Sequence, residues 1–93
     1  MKFIVSWSLP QSTFNAAVDR FLKTGGLPPA GIKLLGRWHG MNGRGFAIAE
    51  TSDPMALYAW VLNWCDILPI EVTPCLEDGD SATVMQGHIR SSK

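Results

Sequence analysis

Asn42-Gly43, set between two stretches of alternating polarity, limits what this chain can fold into more than any other feature. Both residues tolerate the positive φ that a right-twisted hairpin asks of its turn, so residues 32–39 and 44–50 read as an antiparallel pair. On the first strand Ile32, Leu34 and Trp38 share one side, and Lys33, Leu35, Arg37 and His39 the other. On the second, Phe46 and Ile48 continue the apolar side, while Gly45, Ala47 and Ala49 leave the opposite side nearly bare. Residues this small let another group approach the sheet closely.

The chain on either side supplies what such a pair needs. Residues 2–9 alternate, with Phe3, Val5, Trp7 and Leu9 pointing one way, and Pro10 ends that strand because it has no N–H for the ladder. Ser12 or Thr13 caps a helix whose apolar stripe is Phe14, Ala17, Val18, Phe21 and Leu22, with Asp19 and Lys23 spaced to pair on its outer side. Gly25-Gly26 stops it in the left-handed region. Asp53-Pro54 starts a second helix running to about Cys65, with Leu57, Trp60, Val61 and Trp64 as its core stripe. Met55, Ala56, Tyr58, Ala59 and Leu62 make it apolar nearly all round, which predicts cover on more than one side, the second from another subunit. Residues 70–75 form a fourth strand, whose Pro74 fits an edge or a bulge, and a weak helix over 81–89 precedes a frayed tail at 90–93.

The order strand, helix, strand, strand, helix, strand predicts an α+β fold of ferredoxin-like βαββαβ type: four antiparallel strands with both helices on one face, occupying residues 1–78, followed by a C-terminal helix and tail over 79–93. The apolar set Phe3, Val5, Trp7, Ile32, Leu34, Trp38, Phe46, Ile48, Ile70 and Val72 meets the helices. The mixed set Ile4, Ser6, Ser8, Leu35, Arg37, His39, Ala47, Ala49, Glu71 and Thr73 faces away. At 93 residues, 46% hydrophobic and 17% charged against a usual figure of about 25%, the chain carries more apolar surface than it can bury, which predicts a homodimer.

Eight basic and eight acidic residues leave no positive stripe for phosphates, so nucleic acid is excluded as a partner. No apolar run approaches the ~20 residues of a membrane span, and the N-terminus enters a strand pattern with no signal-peptide core, which predicts a cytoplasmic protein. Cys65 and Cys75 have no metal-ligand spacing and read as small apolar fillers in a reducing compartment.

The N-terminal Met1-Lys2-Phe3-Ile4-Val5-Ser6-Trp7-Ser8, the central Leu35-Gly36-Arg37-Trp38-His39-Gly40 and the run Gly43-Arg44-Gly45-Phe46-Ala47 resemble an uncharacterised domain-of-unknown-function family. Asp53, Trp60, Trp64-Cys65-Asp66 and Val72-Thr73-Pro74 extend the resemblance over residues 1–78. That family is similar to the dimeric α/β-barrel superfamily, in which two ferredoxin-like sheets pack face to face, and the resemblance implies a homodimer with a cavity on the mixed face of each sheet. The superfamily includes cofactor-free monooxygenases, muconolactone isomerases, haem-dependent peroxidases and ligand-binding regulators, so the fold selects no activity.

Within the mixed face, His39 is the candidate for acid-base work because its ordinary pKa lies near neutrality; the alternative is a histidine that holds the hairpin turn. Arg37 is the candidate anion anchor, with Ser6, Ser8 and Glu71 as polar lining. Trp7, Trp38, Trp60 and Trp64 read as core packing, and Gly40, Gly43 and Gly45 as hairpin glycines, since no helix follows them to hold a phosphate. Asp66 at a helix end calls for a cation or a hydrogen bond, and an Arg or Lys across a subunit contact is the expected cation. No ligand set for a metal is present, and although His39 or His88 offers an axial ligand, nothing else points to haem; no cofactor is expected. Two functions follow: a homodimer that binds a small, partly apolar organic molecule in the sheet cavity and transforms it through His39, or a non-catalytic regulatory or protein-interaction module whose mixed face is filled by its partner.

Overall fold

The Asp53 side chain accepts hydrogen bonds from the backbone N–H groups of Met55 (3.0 Å) and Ala56 (3.2 Å), and with Pro54 in the first turn it starts a helix as the sequence predicts. Gly25, at φ 72°, and Gly26, at φ 58°, end the preceding helix in the left-handed region. In the computed structural model, which describes residues 1–91, these signals delimit β1 (Lys2–Ser8), α1 (Phe14–Thr24), β2 (Lys33–His39), β3 (Arg44–Glu50), α2 (Pro54–Leu62), β4 (Ile70–Cys75) and α3 (Asp78–Ser91). The sheet order is β2-β3-β1-β4 with every neighbouring pair antiparallel, the ferredoxin-like arrangement, and β4 with its Pro74 is an edge strand.

Several local details differ from the sequence reading. Thr13 does not cap α1; a short 3-10 turn over Gln11–Thr13 precedes the helix, and the Thr13 hydroxyl donates instead to the Ile67 carbonyl (2.5 Å). At the hairpin only Gly43 takes positive φ (82°), because its N–H closes the turn onto the Gly40 carbonyl (3.2 Å) while the Asn42 side chain accepts from the Arg44 N–H (3.1 Å). The helix at 54–62 is shorter than expected and unwinds through turns before β4. Arg90 and Ser91 are helical; residues 92–93 of the expected frayed tail lie outside the described residues.

The cross-strand partners decide the core. Val5 pairs with Ala47 and Val72, and Phe3 with Ala49 and Pro74, so the two alanines share the side of Val5. Ala47 and Ala49 are wholly buried with Val5, Leu57 and Trp60. This reverses the expectation for β3: the alanines lie under the helices, and Phe46 and Ile48, which pair with Ser6 and Ile4, face away. The physical reason is volume. A helix seats more closely on two methyl groups than on a phenyl and a sec-butyl group, and α2 brings Leu57 and Trp60 to that spot. Trp38, paired with Phe46, is carried to the outer face as well and is 61% exposed. Cys65 is exposed and Cys75 half-buried, so Cys65 is not a core filler.

Arg20 on α1 grips the segment after α2. Its guanidinium donates to both Asp66 carboxylate oxygens (2.8 and 2.9 Å) and to the Asn63 carbonyl (2.8 Å), and lies 5.6 Å from the centre of the Trp64 ring. The cation that Asp66 requires therefore comes from its own chain and not from a partner subunit. The Arg20 hydrogen bonds hold the Asp66 carboxyl below its ordinary 3.8. A lowered folded-state value stabilises the fold above the ordinary carboxylate range, and that contribution disappears as pH falls through the lowered value. Asp66→Asn is accordingly expected to lower stability slightly near neutrality, slightly because the pair is exposed to solvent, and to remove that same small loss from the acid limb of a stability-against-pH curve below about pH 5, so that urea midpoints of variant and wild type converge in acid.

Candidate functional site

One inserted residue repositions the predicted site. Leu34 pairs with Ala49 but Gly36 pairs with Ile48, so β2 bulges at Leu35 and its alternation changes phase. Beyond the bulge Arg37 pairs with Ala47 and His39 with Gly45, which puts both side chains on the helix-covered face. The expected grouping of Arg37 and His39 with Ser6, Ser8 and Glu71 is thereby corrected: the first two lie on one side of the sheet and the other three on the opposite side.

On the helix side, α1, β1, β2 and the passage into β4 border a half-open cavity of about 140 Å³. Trp7, Phe21, Trp64, Leu68 and Ile70 supply apolar walls, with Ala17 and Val18 of α1 beside them. His39 stands at its rim, held edge-on by Phe21 (ring centres 5.0 Å apart) and Trp7 (6.0 Å). Gly45 is what allows this: a Cβ there would fall inside the Trp7 indole, so the glycine lets Trp7 lie flat across β3. Among the described residues no side chain hydrogen-bonds the His39 imidazole, which leaves its ring nitrogens available to a bound molecule.

Arg37 is engaged differently. Its two terminal nitrogens donate to the Gly26 and Gly25 carbonyls (2.8 Å each), and its guanidinium lies 4.9 Å from the Phe21 ring centre. It thus satisfies carbonyls at the C-terminal end of α1, where a cation also suits the helix dipole, and braces Phe21 against the cavity.

The outer face gathers Ser6, Ser8 and Glu71 around a hollow of about 360 Å³ that also includes Arg44 and Phe46. It lies on the uncovered side of the sheet, so a second molecule would have to roof it. The polar residues of the sequence reading are therefore brought together, but away from the imidazole. Phe21, Trp64 and Leu68 were not singled out as site residues. Their apolar character was visible, and the phase change that aims His39 at them had one trace, Gly36 interrupting the alternation of β2. His88 lies on α3, outside both hollows. Among the described residues no group of three or more His, Cys, Asp or Glu side chains is placed to hold a metal ion, and no helix is long and apolar enough to cross a membrane.

A family model described as a domain of unknown function, DUF3303, matches residues 1–89. The chain belongs to the DUF3303 family. Neither the curated proteins nor the solved structures contain a match. What distinguishes this DUF3303 domain chemically is its apolar cavity, the imidazole at the edge of that cavity and its uncovered sheet face.

Proposed function

We propose that the protein is a cytoplasmic homodimer of dimeric α/β-barrel type, each subunit of which binds a small, partly apolar organic molecule between helices and sheet. The observation that carries this reading is the apolar cavity of about 140 Å³ with an unengaged imidazole at its rim. A dry cavity of about 150 Å³ is enough for a benzene-sized guest. The matching ligand is one aromatic ring bearing a single hydroxyl or carbonyl, the ring against Trp7, Phe21 and Trp64 and the polar atom toward His39. A histidine in that position accepts or donates the proton of a phenol or enol, the acid-base chemistry expected of it. The dimer is supported by the outer sheet face, where Trp38 (61% exposed) and Phe46 (48%) stand in solvent beside Ile4 and Ile48. The same observation favours the second reading, an interaction module whose outer face is filled by its partner.

Phenol and toluene, which carry a hydroxyl and a methyl on the same ring, separate the two. Under the ligand-binding reading both raise the melting temperature, and phenol binds about fivefold more tightly through one hydrogen bond worth ~1 kcal/mol. His39→Ala erases that preference while toluene still binds, and Ala17→Leu, which fills the cavity from α1, stops both. Calorimetric titration and thermal shift measure this. If neither compound moves the wild-type melting temperature, the cavity is not a binding site and the interaction module stands.

A further inference from the structure

The helix α3 should not persist alone. It leaves the domain after Leu76-Glu77, and of its residues only Ser81 and Gly87 are less than exposed; Leu76 (57%), Val84 (63%) and Met85 (62%) present apolar side chains to water. The protein measures 53 × 29 × 19 Å, elongated far beyond a four-stranded domain of this length, because α3 extends from it. Isolated helices shorter than about 12–15 residues are marginal in water even when rich in alanine. This one has 14 residues, and each glycine inside it lowers its stability by about 1 kcal/mol relative to alanine. Gly79 and Gly87 face open space, so neither is there to admit a neighbour from its own chain. Its helical state needs cover from outside.

The same chain exposes a second unsatisfied apolar surface, the outer sheet face with Trp38 and Phe46. We infer that α3 is an exchanged arm: in the homodimer of the preceding reading, on which this inference rests, each copy's α3 reaches beyond its β4 edge and packs Leu76, Val84 and Met85 on the second copy. Area favours a second copy with arms over flat sheets alone. Four strands of about seven residues offer a footprint of roughly 440 Å², well under the ~800 Å² per partner of a stable interface. One side of a helix of this length adds a strip of roughly 200 Å², and side-chain relief brings each copy near the requirement. With the two sheets face to face, an arm that reaches beyond the β4 edge lies against the flank of the second copy, and a twofold axis makes that contact twice. Lys2, bridged to Glu50 (3.3 Å) and to Glu77 (3.2 Å), anchors the root of the arm to β1 and β3.

The test uses the full chain and two exposed substitutions, Met85→Glu on the arm and Trp38→Lys on the sheet. Sedimentation equilibrium reads the association, and amide hydrogen exchange across 78–91 reads the arm. The wild type is expected to dimerise, each substitution to weaken the dimer at least about tenfold, and the α3 amides to exchange faster on dilution, because helix formation and association are one event. Wild-type affinity in Met85→Glu, or α3 exchange indifferent to concentration, overturns the exchanged arm; if Trp38→Lys still dissociates the protein, the sheet-to-sheet dimer survives that failure. A wild type that stays monomeric overturns both.

Discussion

Gly45→Val is expected to destabilise the fold by about 3 kcal/mol, a lower urea midpoint with an unchanged slope being the signature. Gly45 and Trp7 are directly paired across β3 and β1, and the indole lies over the glycine so closely that a Cβ would occupy the ring's own position. Trp7 can retreat only into the cavity that it walls. It is packed against the buried cluster of Val5, Ala47, Ala49, Leu57 and Trp60, forms a wall of the cavity, and meets His39 edge-on. Valine's preference for a strand over glycine returns at most ~1 kcal/mol, so steric displacement of the indole decides the sign. The displaced ring would also enter the cavity, so under the proposed ligand-binding reading residual folded protein should not respond to toluene.

Trp60→Ala should be costlier still, about 3–5 kcal/mol, against a total stability for a domain this size of only ~5–15 kcal/mol. Trp60 is 7% exposed and fills the space above Ala47 and Ala49, two methyl-bearing positions that cannot collapse into the void left by an indole. Trp38→Ala is the contrast. At 61% exposure it is expected to change the stability of the monomer by no more than about 0.5 kcal/mol. Denaturation at low protein concentration separates the two, and equal losses would show that the assignment of faces is wrong.

That contrast also marks where sequence reasoning ran out. Four tryptophans in period-two or helical register look alike on paper, yet one of the four stands on the outer face. Trp38, Phe46 and Ile48 were correctly grouped on one side of the hairpin, since relative parity along a strand is local. The side that received the helices was chosen by packing: Ala47 and Ala49 offer a shallow seat, and the bulky alternates were pushed outward. The His39 site shows the same boundary. The imidazole was visible in the sequence, but its neighbours Phe21 and Trp7 were not, because a single extra residue at Leu35 exchanges the faces of everything beyond it.

What the residues determined unaided was local and directional: Asp53-Pro54 opening a helix, Gly25-Gly26 closing one, Gly43 turning the hairpin, and the succession of elements that permits only a few sheet orders. These depend on backbone sterics within a few residues, so a linear reading captures them. Only the tertiary structure decided which face is core, that Arg20 of the same chain neutralises Asp66, that Arg37 serves the end of α1, and that α3 stands clear of the domain. Each of those outcomes turns on volumes and distances between segments far apart in the chain, which periodicity does not encode.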